Sequence, residues 1–217
     1  SKMAINLESI FHEDFYGLKW QVNANEIRTI TWSSVNDSLQ YSWGEQISVT
    51  ASLDNYLGEI RKAFQIWDDA IERIKFVETK SGNLADIAIA ATDIDGEDGI
   101  EGQWWYDYDD NDHITEGTIQ FDRYDLNNGW LLTTAMHEIG NILGLGDLIA
   151  SNQYMSVQED QGDQKALDNF TGHYLWDFDR KLINSLYPST EQYKNPSLGR
   201  LYTAAFGRKP DDAGLQF

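Results

Sequence analysis

Between His137 and Asp147 the chain reads His-Glu-Ile-Gly-Asn-Ile-Leu-Gly-Leu-Gly-Asp, and no other stretch restricts the fold so tightly. Leu131, Thr134, Ala135, Ile139 and Leu143 recur at helical spacing, so His137 and Glu138 fall inside a helix beginning near Trp130. Four residues make a little over one turn, which puts positions 137 and 141 roughly 40° apart on one face. Two side chains so placed can hold one metal ion. Glu138 is rotated off that line, where it can hydrogen-bond a water instead. Gly144 then stops the helix, since glycine takes the left-handed conformation at a helix end. The chain reverses, and Leu145-Gly146 carries Asp147 back toward the first two. His137, Asn141 and Asp147 are the candidate metal ligands, and Glu138 is the candidate base.

At 217 residues with 41% hydrophobic content, the chain can bury one sizeable core plus a short appendage. A formal net charge of −20 excludes nucleic acid and anionic membranes as expected partners and leaves protein or peptide. Without cysteine, any metal must be held by His, carboxylate or amide oxygen. No stretch approaches the roughly 18 apolar residues of a membrane span, so no membrane insertion is expected. Ser1-Lys2 ahead of Met3 reads as a cloning remnant, and no basic-then-apolar leader follows it.

Residues 26–33 alternate and are β-branched, which predicts a strand. Apolar residues at Leu53, Tyr56, Leu57, Ile60, Ala63, Phe64, Trp67 and Ile71 predict a long amphipathic helix, with Asp54, Glu59, Arg61 and Asp68 outside. Strands are predicted over 75–78, 85–90 and 117–122, with a turn at Ser81-Gly82-Asn83. A last amphipathic helix covers 174–187 and is ended by Pro188. Residues 1–190 form one domain in this reading. Residues 191–217 are a linker and the start of a helical C-terminal module, with a helix over 197–206.

Taken together, these pieces resemble the catalytic domain of serralysin-type metzincins, bacterial zinc peptidases exported with calcium-binding repeats. The resemblance runs over roughly residues 25–190. It is carried by the 27–33 strand, Trp67-Asp68-Asp69-Ala70, Ala85-Asp86-Ile87, and the H-E-x-x-H-x-x-G-x-x-H spacing. Tyr154-Met155-Ser156 lies where the Met-turn belongs. The implied fold is α+β: a twisted mixed sheet with a long backing helix and a metal-site helix, then a mainly helical lower half. Met155 would floor the site, with Gly144 as its other structural support. The strand at 117–122 would be the edge that pairs with substrate, and Asp177 and Asp179 would open the closing helix. The tail from Leu198 to Asp211 resembles a helical module of large secreted bacterial proteins. Both resemblances imply a secreted or cell-surface protein, exported without a cleaved leader and continuing into further C-terminal domains.

Two chemical features depart from that family. Asn141 stands where the second ligand His belongs, and Val157 where serralysins carry a tyrosine that reaches the metal and the developing oxyanion. Asp147 in place of the third His is tolerable, because carboxylate oxygen is a normal zinc ligand. A neutral amide oxygen suits calcium, magnesium or manganese better than zinc. Dividing a structural zinc's ~10–16 kcal/mol over about four ligands makes one lost imidazole worth on the order of a hundredfold or more. Losing an oxyanion donor costs about 10²–10³ in rate. The expectation is therefore a domain with weak or absent zinc and impaired or lost proteolysis, acting as a binding or structural module. One alternative is an active metalloendopeptidase with an unusual His/Asp/Asn site, with His173 or His113 standing in as a ligand and His12 too far upstream to place. Another is a calcium-stabilised adhesive module, since residues 93–99 and 107–112 put oxygens at alternate positions. Trp104-Trp105-Tyr106 between them is either an exposed recognition patch or a buried anchor.

Overall fold

A computed structural model describes residues 18–40, 46–80, 85–148, 156–159 and 175–189. Met155, Tyr154, His12, His173, the 81–83 turn and the C-terminal module lie outside the described residues. The elements run β1 (Lys19–Trp20), β2 (Arg28–Ser34), β3 (Leu39–Gln40), β4 (Gln46–Ile47) and a 3-10 turn at Asp54–Tyr56. They continue with α1 (Leu57–Ala70), β5 (Ile74–Glu78), β6 (Ile87–Thr92), β7 (Gly102–Tyr108), β8 (His113–Asp122), α2 (Leu131–Ile142) and α3 (Asp177–Leu186).

The main sheet is mixed. β5, β2, β6 and β8 lie side by side in parallel, β1 adds a parallel pair at the start of β8, and β7 is antiparallel to β8. Residues 117–121 of β8 pair with both β6 and β7, so those two strands flank it on opposite sides. This corrects the assignment of 117–122 as the edge strand. The edge on this side of the sheet is β7, whose outer side no described strand covers. Every residue from Gly117 to Asp122 is buried, as a central strand covered on both sides must be.

Helix α1 forms where the apolar spacing places it and buries Ile60, Ala63, Phe64 and Trp67. Phe64 stacks on Trp32 of β2 with ring centroids 4.5 Å apart. Asp68 is not outside: half-buried, it accepts the Phe76 N–H at 2.8 Å and ties the helix to β5. Trp67 donates its indole N–H to the Met136 carbonyl at 2.9 Å, joining α1 to the middle of α2. Apart from Leu132 and Thr133, the whole of α2 is buried, so its polar residues point into protein rather than water. None of the described helices is long and apolar enough to cross a membrane.

The reversal after α2 is as the glycine requires. Gly144 has φ +103°, and a β-carbon there would lie 2.0 Å from the Leu18 carbonyl oxygen. Around it the Trp20 indole donates to the Ile142 carbonyl at 2.9 Å, and the Tyr187 hydroxyl donates to the Leu143 carbonyl. The N-terminal strand and the end of α3 thus satisfy carbonyls that the helix C-terminus leaves open. Gly144→Ala is expected to lose ~1–2 kcal/mol from the left-handed backbone alone, and more from the clash with Leu18. A urea melt of the two proteins measures this.

Candidate functional site

Residues 137, 141 and 147 converge. His137 Nε2 lies 3.0 Å from Asp147 Oδ1, and the Asn141 amide donates its Nδ2–H to the same oxygen at 2.9 Å. The orientation of the amide follows from chemistry, since a carboxylate oxygen only accepts and a flipped amide would set oxygen against oxygen. Asn141 Oδ1 is left buried without a hydrogen-bond partner. The ligand positions are therefore tied to one another, with an N–H of Asn141 facing its neighbours.

The other ring nitrogen of His137 is also fixed. Nδ1 is 2.8 Å from the Val157 carbonyl, so it carries the proton and donates. That leaves Nε2 with a lone pair for a metal or for a second proton, the usual arrangement behind a metal-binding histidine. Val157 is held in turn by Asp179, the third residue of α3. The Asp179 carboxylate accepts the Val157 N–H at 3.2 Å, the Trp176 N–H at 3.0 Å and the Ser156 hydroxyl. Gln158 closes the arrangement by donating to the His137 carbonyl at 2.9 Å. Residues 156–158 are thus a bracket between α3 and α2. Val157 contributes its backbone there, a role that does not depend on which side chain it carries.

In the sequence Asp179 is only an acidic helix start, and nothing there signals its reach to Val157. The same holds for Gly102. A β-carbon at that position of β7 would lie 2.8 Å from Glu138 Oε1, so the strand passes directly over the candidate base. His113, at the start of β8, lies by Asp109 at 3.6 Å and does not line the cleft with residues 137, 141 and 147.

Electrostatics follow from burial. Desolvation pushes the Glu138 carboxyl up to about 7, with the nearby His137 opposing and Asp147 adding to the rise. Burial likewise pushes Asp179 up to about 6 against the donors that bond it. For His137, burial disfavours the charge, but the Asp147 carboxylate outweighs it and Glu138 and the Val157 carbonyl assist, giving about 9. The acidic loops are organised separately. Burial raises the Asp122 carboxyl, yet N–H groups of Tyr124, Asp95, Gly96 and Ile94 together hold it below its usual range.

Set against zinc, these groups fit poorly. The donors are one imidazole, one carboxylate already accepting two hydrogen bonds, and an amide that presents its nitrogen. Among the described residues, no three His, Cys, Asp or Glu side chains are placed to hold a metal. The three positions bound a cleft of about 800 Å³, shared with Glu138, Leu18, Trp104 and Tyr106.

The raised His137 value has a consequence with a definite sign. The folded state binds more protons than the unfolded chain between about 6.5 and 9. Its stabilisation is whole below 6.5 and is lost as pH rises toward 9. Urea midpoints in chelator are expected to fall across that window, and to fall less steeply in Asp147→Asn.

The sequence profile of the matrixin family matches residues 31–188. No curated protein matches the chain. Among solved structures, that of myroilysin is similar at 11% identity and TM-score 0.42, covering 87% of this chain and 98% of its own. With the family profile spanning most of the 217 residues, this chain belongs to the matrixin family and is a metzincin-type metallopeptidase domain.

Proposed function

We propose that this is a serralysin-type domain whose zinc affinity and proteolysis are impaired or lost, and which works as a peptide-binding module. The observation that carries this reading is the shared Asp147 oxygen. His137 Nε2 and Asn141 Nδ2 both meet it, so the positions that would surround a metal satisfy each other. The cleft, the open edge of β7 and the α2–α3 bracket are intact, so a surface for a peptide is retained while the ligand set is short of one imidazole. The likeness of residues 198–211 to modules of secreted bacterial proteins supports a secreted or cell-surface setting, with export directed by further C-terminal domains.

One observation favours a second reading. Glu138 is buried, its Oε2 has no partner, and its carboxyl is raised to about 7, in the range that suits a general base near neutral pH. A working metalloendopeptidase would need a further ligand, for which His173 is the sequence candidate. The calcium-stabilised adhesive module has no such observation behind it.

Metal analysis of the purified protein and a casein assay separate the two. Zinc well below one per chain, without cleavage, is expected; stoichiometric zinc with chelator-sensitive cleavage would overturn the proposal. Asn141→His is expected to tighten zinc by on the order of a hundredfold, since it restores one imidazole to a site otherwise in place. An unchanged affinity would mean that His137 and Asp147 no longer form a metal pocket.

A further inference from the structure

The aromatic residues of β7 take no part in holding positions 137, 141 and 147, yet they line the same cleft. Alternate residues of a strand share a face. Gly102 faces α2, because a side chain there would strike Glu138 and Thr134, so Trp104 and Tyr106 face that way too. Trp104 and Tyr106 stack with centroids 4.8 Å apart, and Tyr108 meets Tyr106 edge-on at 6.4 Å across an irregularity in the strand. Glycine lets the helix close over one end of this face, and three rings continue it into the open cleft. Tyr108 is 54% exposed.

The charged walls of the cleft have one sign. Asp112, Glu138 and Asp147 line it, and among the described residues no lysine or arginine does. Its one basic group, His137, is engaged by Asp147. Glu138 is 2% exposed and its Oε2 has no donor, an arrangement that costs free energy until a ligand supplies one. Aromatic faces attract cations through their quadrupole, and low-dielectric walls of one sign focus that field. The net charge of −20 adds to it.

We propose that the cleft recognises a basic side chain of an extended peptide, arginine in preference to lysine. The cation lies along the Trp104–Tyr106–Tyr108 row and its N–H groups meet the cleft carboxylates. Arginine is preferred because its planar guanidinium both stacks on rings and donates in pairs to carboxylates. This inference rests on the reading of the cleft as a peptide groove.

The test compares two blocked pentapeptides, Ala-Ala-Arg-Ala-Ala and its citrulline counterpart, which keeps the shape and removes the charge. Binding is measured by calorimetry on the full chain in chelator, so zinc does not enter. The arginine peptide is expected to bind roughly tenfold more tightly. That ratio should collapse in Asp112→Asn and in Tyr108→Leu, the latter an exposed position whose loss leaves the core alone. Asp69→Asn, which removes the same charge from the exposed side of α1, should leave the ratio unchanged. Equal binding of the two peptides, or an equal fall in Asp69→Asn, would overturn the cation site and leave the peptide groove standing. Binding of neither peptide would overturn both.

Discussion

His137 is gripped at both nitrogens, by a backbone carbonyl on one side and a carboxylate on the other, and the site depends on that grip. The Val157 carbonyl is held in place by Asp179, which accepts the Val157 and Trp176 N–H groups and the Ser156 hydroxyl, and by the Leu148 N–H donated to the neighbouring Gln158 carbonyl. A buried polar group without a partner costs about 1–3 kcal/mol, so each member of this chain is held in place by the next. The imidazole is therefore oriented by α3, more than forty residues on, as much as by its own helix. That explains how the pocket can outlast a change in its ligands. No hydrogen bond joins the Asn141 side chain to the bracket of residues 156–158.

Charge gives the substitution its physical content. Glu138, Asp147 and Asp179 crowd around one imidazole, and Glu138 and Asp179 are held above their usual range. Such a cluster needs compensating positive charge, from a cation or from protons. Replacing an imidazole by an amide at 141 leaves every carboxylate in place and removes a lone pair that would help hold the cation. The balance then shifts toward protons, and His137 takes one readily at about 9. The Asn141 N–H supplies a further donor to Asp147 at 2.9 Å. The amide is thus a better partner for the carboxylate than for a metal.

Much of this is legible in the sequence, and each feature that is not has its own physical reason. The long helix, the site helix, the Gly144 reversal and the return of Asp147 follow from periodicity and from glycine's access to φ +103°. Strand β7 is hidden in the sequence because Trp104, Trp105 and Tyr106 sit between two Asp-rich runs that read as loops. In the fold the alternation is real: Trp104 and Tyr106 are half-buried on the α2 side, and Trp105, 53% exposed, points the other way. One ring of the three is thus exposed and two are half-buried against the site helix. The edge role of 117–122 rests on the family resemblance alone, and the burial of Thr118, Gln120 and Asp122 overturns it. At Val157 the carbonyl does the orienting, and residue identity says nothing about that.

The acidic runs show why an oxygen pattern alone underdetermines a site. Asp122 Oδ2 accepts the N–H groups of Ile94, Asp95 and Gly96 at 3.2, 2.8 and 3.0 Å, and Asp95 in turn accepts that of Ile100. Asp109 does the same for Asn111 and His113 in the turn between β7 and β8. Short aspartate side chains stabilise tight turns by this bond, so a turn-rich segment collects them whether or not an ion is near. A cation at Asp122 would compete with three backbone donors for one oxygen. Glu138 stands in a different position: its Oε2 has no donor, and a strand of aromatic faces runs past it. A carboxylate thus closes a loop where backbone N–H groups converge on it, and keeps an oxygen without a donor where α2 and β7 supply none, as at Glu138.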